Sequence, residues 1–233
     1  MSIAENLARV RERVAASVRR SGRSEADVAL MGVCKTFPAD AIREAYAAGQ
    51  RLFGENRVQE FGDKAPEVAD LAGLEMHLIG HLQSNKASKA AELFQAVDSV
   101  DSLKLAERLN SAAEKLGKKL PVLVEVNVGG EEAKSGVGAS VDEISAILSA
   151  ASSLANLEFR GLMTVPPFTE DPEGARPYFR KLRELRDGVV KRQRVRLDVL
   201  SMGMSHDFEV AIEEGSTCVR VGTAIFGVRP RKE

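Results

Sequence analysis

A lysine ends a short apolar run near the start of the sequence. The run reads VALMGVCK and ends in Lys35, which shares a strand face with Val33, Met31 and Ala29 if the run is a β-strand. Partial desolvation at the end of a core strand favours the neutral amine, which can form an imine with a carbonyl compound. The more common interpretation of such a residue, taken alone, is a lysine whose charged end reaches solvent. Lys35 is therefore a candidate for imine chemistry that needs a second group of residues to support it.

A second group lies near the end of the chain, in SMGMSHD at residues 201–207 and in the later run VRVGTA. Ser201 lies in a predicted strand, and Ser205 is a candidate N-cap for the predicted helix that follows. Gly222 allows a ligand to approach the backbone, and Thr223 adds a hydroxyl. Free N–H groups at the start of a helix attract anions, so these segments are candidates for a phosphate site. A tight turn with a capping serine and no ligand is the alternative.

Other polar residues lie at the ends of predicted strands. Asn56 and His81 each follow an apolar run, and Arg220 lies two residues before Gly222 and on the same strand face. Arg220 either pairs with a strand-end carboxylate such as Glu125 or faces a ligand held by the residues around it.

Metal and serine-nucleophile chemistry are both disfavoured. His77 and His81 are four residues apart in a predicted strand, roughly 13 Å from each other, which is too far to share a metal ion. No cysteine or carboxylate accompanies His81 at ligand spacing. Neither Ser201 nor Ser205 lies in a GxSxG sequence. We therefore expect no metal site and no serine nucleophile.

Strand and helix patterns alternate along the chain after an N-terminal amphipathic helix, which carries Leu7, Val10, Val14 and Val18 and ends at Ser21-Gly22. The predicted strands are 28–35, 52–56, 76–81, 96–101, 121–128, 157–165, 197–203 and 217–224. The predicted helices between them are 38–48, 57–69, 84–94, 102–116, 140–153, 173–190 and 206–213. Eight such units predict a single α/β domain, a (β/α)8 TIM-type barrel with an extra N-terminal helix. An open doubly wound sheet is the alternative, although the first strand lacks a GxGxxG turn.

Composition predicts one soluble domain over residues 1–233. Charged residues make up 29% of the chain and the net charge is −1, so no overall field would attract nucleic acid. The basic stretch at 180–196 has apolar residues at helical spacing, which indicates a solvated helix face. Cys34 and Cys218 lie far apart, which is typical of free thiols in a reducing compartment. With no signal-like N-terminus and no run long enough to span a bilayer, we expect a cytoplasmic monomer without membrane or nucleic-acid partners.

The sequence resembles one known family over nearly its whole length. Six blocks between residues 33 and 227 closely resemble the pyridoxal phosphate homeostasis proteins: VCKTFP, LFGENRVQE, HLIGHLQSNK, VEVNVGGEEAKSGV, GLMTVPP and LSMGMSHDFEVAIEEGSTCVRVGTAIFG. The resemblance implies a barrel like the N-terminal domain of alanine racemase, which binds pyridoxal 5′-phosphate (PLP) through an imine to Lys35 and serves vitamin B6 balance. It implies that Arg220 faces the pyridine nitrogen and that Asn56 and His81 lie near the ring. It also implies four phosphate contacts: Ser201, Ser205, Gly222 and Thr223.

Two classes of function then remain. In the first, the protein binds, stores or delivers PLP, with PLP-dependent apo-enzymes as candidate partners. In the second it is a PLP enzyme such as an amino-acid racemase. In alanine racemase a tyrosine from an additional β-domain of the partner subunit is the second acid/base; we expect no such domain here, and Tyr46 and Tyr178 fall in predicted helices.

The proposed arginine also bears on this choice. A cation at the ring nitrogen disfavours pyridine protonation and so weakens the ring as an electron sink. We therefore predict a non-catalytic PLP-binding protein. A Schiff-base aldolase acting on sugar phosphates is a third possibility, but its lysine typically comes from a later strand.

Overall fold

Eight parallel strands form a closed ring in the computed structural model, which describes residues 1–131, 134–150 and 153–228. The strands, with a ninth of two residues, are β1 (Ala29–Val33), β2 (Leu52–Glu55), β3 (Glu75–Leu78), β4 (Ala96–Val100), β5 (Leu120–Asn127), β6 (Val137–Gly138), β7 (Leu157–Met163), β8 (Val199–Met204) and β9 (Cys218–Val221). They pair in the order β4-β3-β2-β1-β9-β8-β7-β5, and β5 pairs again with β4 to close the ring. The short β6 pairs only with the end of β5. The predicted barrel is confirmed and the open sheet is excluded.

Helices surround the ring and connect its strands. They are α1 (Ile3–Arg20), α2 (Ala39–Ala47), α3 (Val58–Lys64), α4 (Ala87–Leu93), α5 (Leu103–Lys115), α6 (Val141–Ser149), α7 (Arg176–Gln193), α8 (Phe208–Glu213) and α9 (Thr223–Phe226), and short 3₁₀ turns at Ala65–Val68, Ser84–Lys86 and Pro172–Ala175 adjoin three of them. Local sequence sets their ends: the Ser102 hydroxyl accepts the Leu105 N–H at the start of α5, and Gly117 ends that helix with φ of +63°. None of the described helices has the length and apolarity needed to cross a membrane.

The predicted N-terminal helix α1 lies against the place where the ring closes. β1 pairs with β9 there, and α1 contacts α2, α8 and α9, the helices that flank these two strands in the chain. Its four predicted apolar positions are all buried: Leu7, Val10, Val14 and Val18. The Asn6 side-chain amide also donates to the Ile225 carbonyl at 3.0 Å, which ties α1 to α9.

The predicted basic helix face belongs to α7, and its arginines are paired. Glu214, which is buried, accepts hydrogen bonds from Arg176 at 3.2 Å and Arg180 at 2.9 Å. Arg183 lies 3.2 Å from the same carboxylate. These pairs join α7 to the end of α8.

Most strands end one to three residues earlier than the sequence pattern predicts, and the difference is largest, three residues, for β3 and β9. β3 ends at Leu78 rather than at residue 81, so His81 lies in the following loop. The chain leaves the sheet there because Gly80 crosses very close to the end of β2: a Cβ on Gly80 would lie 2.3 Å from the Asn56 carbonyl oxygen. The predicted strand 217–224 is likewise divided, because the chain turns at Gly222 and Thr223 begins α9.

Candidate functional site

Lys35 lies in a tight turn at the carboxyl end of β1. The residue is half-buried and follows the buried Val33 and Cys34. Its successor, Thr36, has φ of +68°, a left-handed conformation that β-branched residues rarely adopt. The Phe37 N–H donates to the Cys34 carbonyl at 3.2 Å and completes the turn. Active sites of barrel enzymes lie at this end of the strands, so the predicted position of Lys35 is chemically useful.

Three charged residues lie beneath this turn, and we call them the Glu55–Glu60–Lys64 cluster. Lys64 Nζ donates to Glu55 Oε1 at 2.7 Å and to Glu60 Oε1 at 2.9 Å. The Glu55 side chain is fully buried, and that of Lys64 is 12% exposed. Lys64 also donates to the Cys34 carbonyl at 3.4 Å, and Glu60 Oε1 accepts the Thr36 N–H.

The pairing within this cluster determines its charge. Burial raises the pKa of Glu55. Burial has the same effect on Glu60, but Lys64 and the Thr36 N–H outweigh it and hold the pKa of Glu60 below its usual value. Burial disfavours the Lys64 ammonium, yet the two carboxylates raise the pKa of Lys64. Glu60 and Lys64 are thus an ionised pair at neutral pH, as their spacing of four residues on α3 favours.

Arg220 is buried inside the barrel and held by two oxygen atoms. Its Nη1 donates to Ser201 Oγ at 2.7 Å and its Nη2 donates to the Thr164 carbonyl at 2.7 Å. Burial lowers the pKa of Arg220, although guanidinium groups stay charged in proteins. The sequence left open whether Arg220 pairs with Glu125 or faces a ligand. The contacts that hold Arg220 are those with Ser201 and Thr164, not an ion pair with Glu125. Ser201 therefore orients Arg220, and a phosphate contact by Ser201 stays a prediction.

Ser205 binds the backbone that follows β9. Its Oγ accepts the N–H of Gly222 at 3.2 Å and that of Ala224 at 3.4 Å. The prediction that Ser205 caps the next helix is wrong, because α8 begins only at Phe208. Asp207 intervenes: its carboxylate accepts the Met204 N–H at 2.6 Å and turns the chain before the helix can start.

Gly222 brings this loop against β1. A Cβ at that position would lie 3.3 Å from the Val33 carbonyl oxygen, so a larger residue would press on the strand that carries Lys35. Thr223, which is exposed, follows as the first residue of α9. The structure thus places the predicted lysine and the predicted Gly222–Thr223 loop on neighbouring strands.

Asn56 and His81 lie on the next two loops around the ring. His81 Nδ1 lies 3.1 Å from Asp101 Oδ2, with 57% of the His81 side chain exposed. Asn56 lines two cavities at the barrel mouth: one of about 820 Å³ that Lys35 also lines, and one of about 280 Å³ that His81 and Glu125 also line. Asn56 therefore lies between Lys35 and His81.

Glu125 supplies a polar atom that the described structure leaves unpaired. The side chain accepts a hydrogen bond from Ser135 Oγ at 3.1 Å through Oε1, but Oε2 has no hydrogen-bond partner among the described residues. The residue is 8% exposed, and burial raises the pKa of Glu125. A buried unpaired oxygen beside a cavity is a candidate ligand contact.

Sequence reasoning did not find the cluster, the Thr164 contact or the role of Glu125. Glu60 and Lys64 carried a usable signal, since a Glu–Lys pair four apart is typical of a helix. Thr164 acts through its carbonyl, which no residue pattern reveals. Within the described ranges, no group of three or more histidine, cysteine or acidic side chains could hold a metal ion.

Comparison with known proteins decides the family. The family described as alanine racemase, N-terminal domain, matches residues 3–230. A protein of Aquifex aeolicus named pyridoxal phosphate homeostasis protein is 48% identical over 229 residues, which cover 98% of this chain and 99% of the relative. The chain belongs to the pyridoxal phosphate homeostasis protein family. The sequences of this family member and its relative therefore align along nearly their whole lengths, as the sequence blocks indicated.

Solved structures agree with this family. PipY of Synechococcus elongatus, solved with PLP bound, has a TM-score of 0.84 and 40% identity, covering 97% of this chain and all of that one. An alanine racemase of Clostridium difficile has a TM-score of 0.68 at 18% identity and covers 99% of this chain but 58% of its own. The second likeness shows that this family member shares the racemase barrel fold.

Proposed function

We propose that this chain binds PLP at the carboxyl end of its barrel, holds it through an imine to Lys35 and serves intracellular PLP balance without robust catalytic turnover. The observation that carries the proposal is the likeness to PipY, whose structure contains PLP and matches this chain along 97% of its length. The name shared by the relatives supports the homeostatic role. Location in the cytoplasm, a monomeric state and PLP-dependent apo-enzymes as partners stay predictions.

The residues present fit a phosphorylated aldehyde. Lys35 offers an amine in the turn after β1, at the end of the barrel where such folds place their ligand sites. Ser205 Oγ accepts two backbone N–H groups, so its own hydrogen is available to a phosphate oxygen. Gly222 has no side chain, so the loop that Ser205 Oγ holds can lie close against β1. With Thr223, these groups support a phosphate site formed after β8 and β9, where barrels often bind phosphate.

Arg220 supports binding rather than turnover. Bound PLP would supply an aldehyde for attachment and a ring that can withdraw electrons. Ser201 and the Thr164 carbonyl fix the Arg220 cation inside the barrel. If Arg220 faces the ring nitrogen, its charge opposes protonation there and weakens the electron withdrawal that racemisation needs.

An amino-acid racemase is the alternative, favoured only by the shared fold. Racemisation uses a second acid/base opposite the lysine, which is a tyrosine in alanine racemase. Here the Tyr46 hydroxyl donates to the Ala72 carbonyl at 2.7 Å, and Tyr178 packs against the apolar cluster around α7. Both tyrosines are engaged by groups other than the residues around Lys35.

The imine is tested by borohydride reduction of protein saturated with PLP, followed by peptide mapping. We expect one PLP fixed on the peptide that contains Lys35, together with loss of the imine absorption band. Lys35→Ala should lose the band but still bind PLP reversibly through the phosphate contacts. Adduct mainly on Lys86 or Lys134 would show that the site is misplaced.

Turnover is tested separately with amino-acid substrates. We expect racemase, transaminase and decarboxylase rates far below the usual range of about 1–10³ s⁻¹. A robust steady-state rate that disappears in Lys35→Ala would favour the racemase alternative.

A further inference from the structure

We propose that Glu60, through its pairing with Lys64, is a positioning residue for Lys35: the Glu55–Glu60–Lys64 cluster fixes the backbone on both sides of the reactive lysine. This inference rests on the proposed function, since it concerns how Lys35 meets an aldehyde. It assigns a role to a helix, α3, that carries none of the residues predicted to touch the ligand.

The geometry is specific to Lys35. The peptide group before Lys35 contains the Cys34 carbonyl, which accepts a hydrogen bond from Lys64 Nζ at 3.4 Å. The peptide group after Lys35 contains the Thr36 N–H, which donates to Glu60 Oε1. Lys64 and Glu60 are themselves 2.9 Å apart, so one ion pair holds both peptide groups.

The base of the cluster is rigid. Glu55 ends β2, its side chain is fully buried, and it accepts from Lys64 at 2.7 Å. The strand β2 in turn pairs with β1 in parallel register at Gly32–Phe53 and Val33–Gly54. The cluster therefore holds the turn around Lys35 in a fixed position relative to the sheet.

A restraint is needed here because the backbone conformation is unfavourable. Thr36 has φ of +68°, and a β-branched residue in this region persists only where its surroundings impose it. The Thr36 N–H bond to Glu60 supports it, together with the Phe37 N–H bond to the Cys34 carbonyl. Without the Glu60 acceptor, the turn can relax toward an ordinary conformation and carry Lys35 with it.

The position of Lys35 matters for the covalent step. The neutral amine adds to the aldehyde carbon, a C=N bond forms, and the aldehyde oxygen leaves as water. The proposed phosphate contacts lie on β8, in the loops after β8 and β9, and at the start of α9, so the aldehyde is presented from another part of the ring. Reaction then requires the amine to lie where that anchored aldehyde does, and small displacements are costly.

The experiment measures imine formation in Glu60→Ala and Glu60→Gln. Because glutamine keeps an oxygen that can accept the Thr36 N–H, we expect Glu60→Gln to react within a few-fold of the parent. We expect Glu60→Ala to react slower by on the order of tenfold to a hundredfold, the usual cost of a misplaced reacting group. The slowing should appear with PLP and with unphosphorylated pyridoxal alike, since the defect lies in the lysine. Glu67→Ala is the matched control: it removes an exposed glutamate outside the Glu55–Glu60–Lys64 cluster and should behave as the parent.

Two further measurements separate positioning from damage. Affinity for pyridoxine 5′-phosphate, which has no aldehyde, should be unchanged in Glu60→Ala, and so should the unfolding midpoint to within a few degrees. The inference is overturned if Glu60→Ala forms the imine at the parental rate or if Glu60→Gln is as slow as Glu60→Ala. It is also overturned if the affinity of Glu60→Ala for pyridoxine 5′-phosphate falls by the same factor as its rate of imine formation. If the parent forms no adduct on Lys35, the proposed function fails and this inference fails with it; a parental adduct with an unaffected Glu60→Ala rejects only the inference.

Discussion

Single residues divide the proposed site into two separable parts. Lys35 follows β1, whereas Ser205 and the Gly222–Thr223 loop follow β8 and β9. Ser205 Oγ is fixed by two backbone N–H groups, so its orientation does not depend on the lysine. Covalent attachment and phosphate recognition can therefore be removed one at a time.

The double variant Ser205→Ala/Thr223→Val tests phosphate recognition. Hydrogen bonds to a charged phosphate contribute roughly 1.5–3 kcal/mol each, or on the order of tenfold to a hundredfold in Kd. We expect the double variant to bind PLP more weakly by that factor per hydroxyl while Lys35 stays reactive. It should also lose most of the preference for PLP over pyridoxal, measured by titration of both ligands. An undiminished preference would place the phosphate elsewhere.

Glu125 gives a prediction about pH. Burial raises the pKa of Glu125, so the folded protein binds its proton more tightly than the unfolded chain does. As pH rises from 4.5, the ordinary value, through the raised pKa, this carboxyl increasingly destabilises the fold. We expect the free energy of unfolding of ligand-free Glu125→Gln to rise relative to the parent across that window. Urea unfolding at several pH values measures this difference, with Glu67→Gln as the exposed control. A difference in the free energy of unfolding that does not depend on pH would contradict the raised pKa of Glu125.

Residue patterns predicted Lys35, Asn56 and the glycine–threonine loop, because strand ends and turns leave local signals. They did not predict that Ser201 accepts from Arg220, since that contact joins β8 to β9 and depends on barrel register. The N-cap role predicted for Ser205 was wrong for the same reason: its partners, Gly222 and Ala224, lie far along the chain. Contacts between strands distant in sequence are beyond a local pattern.

At the scale of elements, the strand β7 shows how closely two backbones can approach. Its pairing with β5 shifts by one residue at Arg160, between the pairs Val122–Phe159 and Leu123–Gly161. Next to this irregularity, a Cβ on Gly161 would lie 1.9 Å from the Val199 carbonyl oxygen of β8. The register of β7 against both neighbours therefore depends on glycine at 161.

Gly161→Ala should destabilise the barrel, because backbone rather than a flexible side chain occupies the space. We expect the free energy of unfolding to fall by about 3 kcal/mol, the upper part of the usual range for overpacking. Gly62→Ala is the matched control: its Cβ would make an ordinary 3.5 Å contact with Leu93 on α4, and alanine favours helix α3. We expect that control to gain roughly 0.5–1 kcal/mol. Denaturant unfolding measures both, and a Gly161→Ala protein as stable as the parent would contradict this strand packing.

Element types were predictable from sequence and their ends were less so. The run of apolar residues continued beyond β3 and β9, so the pattern extended both strands into the loops that follow. What ends β3 is the crossing of Gly80 over Asn56, which is a contact between neighbouring strands. The predicted start of α8 was early by two residues because Asp207 binds the Met204 N–H.

For the whole molecule, the helix α1 stabilises the closing pair of strands. α1 packs against helices on both sides of the β1–β9 pair, and Leu7 is fully buried in this contact. The proposed ligand contacts at Lys35 and Gly222 lie on the same pair. The residues proposed to bind the ligand therefore come together where the ring closes.

Leu7→Ala tests this role. Truncating a fully buried leucine leaves a cavity, and we expect the free energy of unfolding to fall by about 2–5 kcal/mol. Leu116→Ala is the control, because Leu116 is 47% exposed, and its effect should stay within about 0.5 kcal/mol. Thermal or denaturant unfolding measures both. A small effect of Leu7→Ala would mean that the ring closes without α1.

The pairing of the first strand of the barrel with the last has a consequence for protein synthesis. A ribosome adds residues from the N-terminus, so Lys35 is made well before Gly222 and Thr223. A nascent chain that lacks these residues has the amine but neither the loop after β9 nor a closed ring. PLP that forms an imine with such a chain would be held no more firmly than on any exposed lysine. If PLP binds as proposed, tight capture is restricted to chains that have reached the loop after β9, and chains that stop before it would not retain PLP.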